Sequence, residues 1–330
     1  MKTLIAVIGL FIMAEQTVFG FGDQGHKAIW TAAQTELTPK AKKRIKSILG
    51  KKNLPMTAIW LDKARSAKKG KGPLKGDHET ADFNAKFDKN DEWHYVNLPV
   101  HSNSYDDGKD FTSDDDVVQR IKFCIRVLQN KDHSLSKRIA LRTLIHLVGD
   151  IHQPLHCVTG YYDTSNVSKP VLHGDPASAK TFRNNNDRGG NQLFFKPFGR
   201  FDELHGFWDG DLVKAVADGS GSVTELANTI EEAMDDISVD DGDSLMSWPE
   251  KWANESLKAA QKAYDRIEFG KTTVKAHPHA DSTAIEKIEI TFLDGKATYT
   301  DQMKSIAKEQ LVKASLRLAN TLNAIFASGH

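Results

Sequence analysis

In two places of the chain an aspartate follows a histidine by four positions: Asp150 follows His146, and Asp209 follows His205. Residues i and i+4 of a helix share one face, so each pair can present an imidazole and a carboxylate to one metal ion. A lone pair of this kind is usually a hydrogen bond on a helix surface. Two pairs in the company of further histidines favour metal binding instead.

Other candidate ligands follow or precede these pairs. Pro154 ends the helix that carries Asp150 and could turn His156 back toward the same region. Upstream, Asp62 lies on a short predicted helix, and His94 lies between two aromatic residues. We therefore expect these side chains to converge on one site.

The donor set indicates which metal to expect. His26 follows Gly22 and Gly25, which permit a tight loop before a helix predicted to begin near Lys27. Imidazole nitrogen combined with carboxylate oxygen suits zinc better than magnesium or calcium, which prefer oxygen ligands. Zinc is therefore the predicted metal.

Helical segments must position these residues. Apolar residues recur three and four positions apart in 28–49, 117–128, 136–151, 224–235, 249–264 and 301–326. In residues 288–299 they alternate around Asp294-Gly295, which predicts a β-hairpin that turns at this pair. The predicted fold is all-α: a mainly α-helical single domain with long loops and one small β-hairpin.

Six short motifs resemble, in order, those of the zinc-dependent class I nucleases. They are Gly25-His26, Trp60-Leu-Asp62-Lys-Ala-Arg65, Trp93-His94-Tyr95, His146-Leu-Val-Gly-Asp150-Ile-His152-Gln-Pro-Leu-His156, Gly189-Gly190-Asn191 and His205 to Asp209. That family comprises single-strand-specific nucleases with 3'-nucleotidase activity, which are related to bacterial zinc phospholipases C. The resemblance covers nearly all of the chain from Phe21 onward.

The resemblance implies three zinc ions per chain in one cleft. One ion would be held by Asp62, His94, His146 and Asp150, a second by His156, His205 and Asp209, and a third by Phe21, His26 and Asp150. In the family the first mature residue, usually Trp, binds zinc through its α-amino nitrogen and carbonyl oxygen. Phe21 would therefore need a free amine but no particular side chain.

The resemblance also implies roles in catalysis and substrate binding. Asp62 would orient the attacking water, and Arg65 would clamp the phosphate and stabilise the transition state. Tyr95 would stack on a nucleobase, while Asn97 and Asn191 would bond to the edge of that base. Asn97 replaces an acid of the family, and because an amide both donates and accepts, base preference is expected to relax or shift.

The N-terminus has the pattern of a signal peptide. Lys2 precedes the apolar stretch 4–13, and Val18 and Gly20 occupy the positions that a signal peptidase reads. The apolar stretch is shorter than the roughly 20 residues of a spanning helix, which disfavours an N-terminal anchor. We predict a signal peptide at 1–20, a nuclease domain at 21–330, and a secreted or periplasmic protein.

Composition limits how substrates can be recruited. Lys plus Arg and Asp plus Glu each number 44, so the net charge is zero and any affinity for polyanions must be local. The expected substrates are single-stranded nucleic acid and 3'-nucleotides, bound by a monomer without a stable protein partner. Cys124 and Cys157 could form a disulfide or remain buried thiols, and glycosylation of Asn166 and Asn254 is left open.

Two alternatives remain beside a phosphodiesterase acting on single-stranded RNA and DNA. A phospholipase C could use the same metal scaffold, but the resemblance implies that those enzymes have Glu where Asp209 stands and lack Gly-Gly-Asn. A zinc- or nucleotide-binding protein without turnover is the other alternative. The presence of both Asp62 and Arg65 argues against it.

Overall fold

The fold is given by a computed structural model, which describes residues 21–50, 54–196, 202–242, 244–276 and 283–327. The predicted signal peptide lies outside the described residues. Helices dominate, which confirms the mainly α-helical class. They are α1 (Gly22–Ala33), α2 (Pro39–Leu49), α3 (Leu54–Ala58), α4 (Trp60–Lys68), α5 (His78–Lys86), α6 (Val117–Leu128), α7 (Lys137–His152), α8 (Pro176–Ala179), α9 (Leu204–Gly206), α10 (Leu212–Val216), α11 (Val223–Glu231), α12 (Trp248–Tyr264) and α13 (Gly295–Ala327). Short 3-10 helices span Glu92–His94, Lys109–Phe111, Pro154–Cys157 and Lys180–Phe182, and a π-helical turn, Phe207–Asp211, joins α9 to α10.

The described residues contain two small sheets, where the sequence predicted one hairpin. In the first, β1 (Tyr161–Asp163) pairs antiparallel with β2 (Val171–His173). The second has the order β3 (Leu193–Phe194), β5 (Thr283–Phe292), β4 (Ile267–Ala276), with β3 parallel and β4 antiparallel to β5.

The hairpin predicted in residues 288–299 is wrong in its position. Strand β5 ends at Phe292, and its antiparallel partner β4 precedes it in the chain. Gly295 has φ +80° and begins α13, so Asp294-Gly295 turns the chain from a strand into a helix. Beyond the turn, Tyr299 and later buried residues recur at helical spacing, which the alternation before the turn obscured.

The helical period predicted as continuous over 28–49 is divided between two helices. Helix α1 begins at Gly22 and not near Lys27. Pro39 opens α2, and the hydroxyl of Thr38 caps that helix. Proline has no N–H for an interior helical bond but fits the first turn, which explains the break.

Helix α7 lies at the centre of the helical body, where α1, α6, α12 and α13 pack against it. It begins after Ser136, whose hydroxyl accepts a hydrogen bond from the backbone N–H of Ile139. Every side chain from Thr143 to His152 is buried. A helix buried on all faces places its polar residues out of reach of bulk water, and His146 and Asp150 are among them.

Glycine permits the close approach of α1 to α7. A Cβ atom at position 149 would lie 2.6 Å from Nδ1 of His26, so any larger residue would force the two helices apart. This contact places His26 beside the last turn of α7.

Cys124 and Cys157 are both buried free thiols, so the disulfide alternative is wrong. Burial raises the pKa of Cys124 to about 12, which keeps its thiol protonated. Of the helices that the structure describes, none is both long and apolar enough to cross a membrane.

Candidate metal centre

The carboxylate of Asp150 lies among three imidazoles from three different elements. Its Oδ2 is 2.9 Å from Nδ1 of His94 and 3.2 Å from Nε2 of His146, and its Oδ1 is 3.3 Å from Nε2 of His26. Asp62, on α4, approaches the same region, with Oδ2 3.7 Å from Nε2 of His146. These five side chains are almost completely buried.

A second cluster lies beside the first. His205 and Asp209, on α9 and the π-helical turn, approach to 3.4 Å between Nε2 and Oδ2. The ring of His156 lies 5.0 Å from that of His205 between centroids, and its Nδ1 is 3.6 Å from Oδ1 of Asp150. The turn after Pro154 therefore returns His156 to the site, as predicted.

The described side chains form three groups that could each hold a metal ion. They are His26, His146 and Asp150; Asp62, His94 and His146; and His156, His205 and Asp209. Within each group the ligand atoms lie within 4.8 Å of one another. The third group has the same residues as one predicted ligand set, and the second contains three of the four residues of another. The first joins His146 to His26 and Asp150.

Backbone carbonyls fix the orientation of three imidazoles. Nδ1 of His146 donates to the carbonyl of Ala58 at 2.8 Å, and Nδ1 of His205 donates to that of Gly189 at 2.6 Å. Nδ1 of His156 likewise donates to the carbonyl of His94 at 2.7 Å. Because a carbonyl only accepts, Nδ1 must carry a proton, and Nε2 is the nitrogen of each ring that faces a metal.

The residues fit a bound cation. Buried atoms without a hydrogen-bond partner converge here: Nε2 of His26, His94, His156 and His205, Oδ2 of Asp62 and Oδ1 of Asp150. A buried polar atom without a partner costs about 1–3 kcal/mol, so such a concentration is unusual in a folded protein. Cations among these lone pairs would satisfy all of them.

Burial keeps most of these imidazoles neutral. It lowers the pKa of His26 and of His94, and it lowers that of His156 to about 3 and that of His205 to about 4. Neutral imidazole is the form that coordinates metal.

His146 has the opposite shift. Burial alone would lower its pKa, but the carboxylates of Asp150 and Asp62 outweigh burial and raise it to about 9. The same interaction holds the pKa of Asp150 well below its usual range despite burial. A cation among these groups would take the place of the proton on His146.

Phe21 lies next to the second cluster. Its side chain is fully buried, its backbone N–H donates to the carboxylate of Asp209, and its carbonyl accepts from the N–H of Gly25 at 3.0 Å. Its φ of 44° is in the left-handed region. The structure thus places Phe21 beside Asp209, and its predicted role as a ligand shared with His26 and Asp150 stays a prediction.

The predicted catalytic pair is in contact. Nη2 of Arg65 lies 3.1 Å from Oδ1 of Asp62, one turn away on α4. Tyr95 is partly buried, and burial raises the pKa of its hydroxyl. The nearby charges of Arg65 and Arg188 oppose this rise in pKa. Arg65 is therefore fixed by one metal-site carboxylate and lies near the predicted stacking residue.

Asn97 and Asn191 are held by local hydrogen bonds. Oδ1 of Asn97 accepts from the hydroxyl of Thr159 at 2.9 Å, and Nδ2 of Asn191 donates to the carbonyl of Arg188 at 2.7 Å. Both side chains are partly exposed. Their predicted contacts with a nucleobase stay predictions.

Asp187 supports the site, although no pattern in the sequence singles it out. Its buried carboxylate accepts from the hydroxyls of Tyr162 and Tyr264 at 2.8 and 2.9 Å, and from the backbone N–H groups of Gly160 and Gly190 at 3.1 and 3.2 Å. Burial raises its pKa to about 6. It anchors the Gly-Gly-Asn loop whose carbonyl orients His205.

Gln153 was also missed. Its Nε2 donates to Oδ1 of Asp209 at 2.7 Å, and its Oε1 accepts from the N–H of Leu155 at 2.6 Å. The position of Gln153 between Asp150 and Pro154 was the only available signal. It fixes both the carboxylate of Asp209 and the turn that leads to His156.

His152 is a supporting residue and not a member of the three groups. Its Nδ1 donates to the carbonyl of Val148 at 2.7 Å, and its Nε2 accepts from Arg317 at 3.1 Å. Arg317, fully buried on α13, also donates to Asp241 and Glu255. His152 therefore links the last turn of α7 to α13 and makes no hydrogen bond to a residue of the three groups.

A helical body that encloses three buried His/Asp groups defines a class of metal-dependent hydrolases. The family model described as S1/P1 Nuclease matches residues 21–327, and the chain belongs to this family. It is therefore a hydrolase acting on phosphodiester bonds, with nucleic acid as substrate and single-strand nuclease activity as the family's chemistry. The resemblance seen in the motifs is confirmed.

Several relatives of this family are similar to the chain. Endonuclease 2 of Arabidopsis thaliana is 23% identical over an alignment of 353 positions, gaps included, which covers 99% of this chain and 98% of that protein. Endonuclease 1 of the same plant is 22% identical, covering 99% and 94%. Nuclease S1 of Aspergillus oryzae is 22% identical over 66% of this chain and 63% of its own length.

Proposed function

We propose that this protein is an exported, zinc-dependent nuclease that hydrolyses single-stranded RNA and DNA to 5'-phosphate products. It also removes the phosphate of 3'-nucleotides. The observation that supports the metal chemistry most strongly is the convergence of unpartnered buried nitrogen and carboxylate atoms on one centre. Membership of the S1/P1 nuclease family supports the choice of phosphodiester substrate.

Zinc is the proposed metal, with three ions per chain. The mixed imidazole and carboxylate donors suit zinc, and the three His/Asp groups supply ligands for three ions. Bound zinc would acidify water and stabilise negative charge on phosphate oxygens. Phe21 would contribute its α-amine once the bond to Gly20 is cleaved.

The residues of the chain supply positioning and charge. Asp62 can accept a proton from a water molecule at the centre and holds Arg65 at 3.1 Å. Arg65 can donate paired hydrogen bonds to phosphate oxygens and stabilise the charge that accumulates during cleavage of the P–O3' bond. Stacking of a base on Tyr95 would contribute roughly 1–3 kcal/mol to binding.

Export is proposed from the N-terminal pattern. The family match begins at residue 21, which supports cleavage between Gly20 and Phe21 with residues 21–330 as one nuclease domain. The mature protein is proposed to act as a secreted or periplasmic monomer.

The test uses mature protein that begins at Phe21. Its metal content is measured by elemental analysis, and its activity on single-stranded polynucleotide and on 3'-AMP is measured before and after chelation and after zinc is restored. We expect more than two zinc ions per chain and loss of both activities on chelation. Activity indifferent to chelator would refute it, and release of phosphocholine from lecithin without nuclease activity would favour the phospholipase alternative.

A further inference from the structure

A basic groove lies at one end of the helical body, apart from the metal centre. It has a cavity volume of about 490 Å³ and is lined by Lys40, Lys43 and Arg44 of α2, by Lys131 of the loop after α6, and by Leu128 and Phe326. No carboxylate of the described residues lines it. The groove therefore combines positive walls with an apolar floor.

The charge of the groove is concentrated. Helix α2 carries five cationic residues and no acidic one in Pro39–Leu49. Because the whole chain has a net charge of zero, this concentration makes a local positive field that composition alone does not reveal.

The cations of the groove are accessible. Lys40, Lys43 and Lys131 are exposed, and Arg44 is partly exposed. Lys40 hydrogen-bonds to the carbonyl of Ala327 in the last turn of α13, which fixes one wall of the groove. Flexible lysines together with a planar guanidinium suit phosphate groups at variable spacing.

The metal centre lies further along α7 than the end of the helix beside the groove. Lys131, which lines the groove, precedes the start of this helix, and His146 lies nine residues after its first residue, Lys137, which is about 14 Å along the axis at 1.5 Å per residue. At about 3.4 Å per stacked nucleotide, about four stacked nucleotides span that distance. A stacked dinucleotide at the metal centre is too short to reach the groove.

We infer that the basic groove binds the phosphate backbone of single-stranded nucleic acid at a distance from the scissile bond, and so recruits polymers to the enzyme. The inference rests on the proposed nuclease function. Backbone contacts of this kind are independent of sequence. They weaken as the salt concentration rises, because binding releases counterions from the nucleic acid and this release becomes less favourable. They would give the enzyme a local affinity for polymers that its net charge does not supply.

The test compares the triple variant Lys43→Ala, Arg44→Ala, Lys131→Ala with a control of equal charge loss, Lys258→Ala, Lys262→Ala, Lys275→Ala, which lies at exposed positions outside the groove. Binding of a fluorescent phosphorothioate single strand, whose linkages resist hydrolysis, is measured by anisotropy over a salt series. The groove variant should bind at least about tenfold more weakly at low salt, and its salt slope should fall by about 2, since each single-strand contact contributes about 0.7. The control variant should retain most of the affinity and slope.

Kinetics give a second readout. The groove variant should show a raised KM for a long single strand and an unchanged kcat/KM for a dinucleotide. Equal oligonucleotide binding and equal KM in the groove and control variants would overturn the inference. That result would leave an acidic protein surface as the partner that the charge of the groove suits. If the unmodified protein cleaves neither substrate, the proposed function fails instead.

Discussion

Nδ1 of His205 donates to the carbonyl of Gly189 at 2.6 Å, so the Gly-Gly-Asn loop sets the orientation of a metal-site imidazole. Gly189 has φ +62°, and a Cβ atom there would lie 2.4 Å from the carbonyl oxygen of Leu155. Only glycine allows this close passage. The loop is held in turn by the carboxylate of Asp187, which bonds to the N–H of Gly190.

Replacing Asp187 should destabilise both the fold and the metal centre. Asp187→Ala leaves four buried donors without their acceptor, and we expect a loss of at least about 2 kcal/mol in the free energy of unfolding. The measurement is urea denaturation together with zinc content. Asp187→Asn keeps one acceptor oxygen and should lose less.

Tyr264→Phe is the matched control for Asp187. It removes one donor and leaves the carboxylate three hydrogen bonds, so its cost should be close to 1 kcal/mol, about that of a single hydrogen bond. If Asp187→Ala and Tyr264→Phe have the same free energy of unfolding and the same zinc content, Asp187 does not position the loop.

Removing the guanidinium of Arg65 should slow chemistry without emptying the metal centre. Arg65→Ala should lower kcat about 10²–10³-fold, the usual effect of losing one group that stabilises transition-state charge. Arg65→Lys should recover part of the rate, because a lysine retains the charge but not the paired donors. Steady-state kinetics on a dinucleotide and zinc analysis provide the measurement.

Lys63→Ala is the control on the same helix. Lys63 is a neighbouring cation of α4, and it pairs with Asp23 at 2.8 Å. Its loss should leave kcat nearly unchanged. A comparable loss of rate in both variants would show a general electrostatic effect and not a phosphate clamp at Arg65.

The i, i+4 pairs and the turn at Pro154 could be predicted because helical periodicity places their side chains on one face. The supports of these ligands could not. His146 donates to the carbonyl of Ala58, 88 positions away, and Asp187 meets Tyr264, 77 positions away. No local pattern encodes such contacts, which depend on how separate elements pack.

The error at Asp294-Gly295 has a related cause. An Asp-Gly pair serves a strand-to-helix turn as well as a hairpin, because in both cases glycine supplies the positive φ. The packing of α13 determines that the turn leads into a helix and not into a second strand. The residues that precede the pair contain no signal for that packing.

The free terminus of Phe21 is predicted to be essential, whereas its ring is replaceable. Phe21 has φ 44°, a conformation that costs a residue with a Cβ atom about 1 kcal/mol. The proposed cleavage after Gly20 would remove the preceding carbonyl and hence this strain, and it would free an amine beside Asp209. Mature protein with one extra residue before Phe21 should lose one zinc ion and much of its rate, measured by elemental analysis and kinetics. Phe21→Trp should stay active, and full zinc occupancy in the extended protein would contradict the prediction.

Acid should weaken the contact between α12 and α13 through Glu255. Partial burial alone would raise the pKa of Glu255. Arg317 and then Lys313 outweigh burial and lower this pKa to about 2, below its ordinary value of 4.5. A depressed carboxylate pKa contributes stability that is complete above the unfolded-state pKa and is lost as the pH falls through the folded-state pKa. At pH 7, Glu255→Gln should therefore be less stable than the unmodified protein by up to about 3 kcal/mol. The difference should shrink between pH 4.5 and about 2. Urea denaturation of both proteins across this range is the measurement, and because metal loss at low pH affects both alike, it cancels in the difference. If the difference in free energy of unfolding between the two proteins is constant over the whole pH range, Glu255 acts by shape and not by charge.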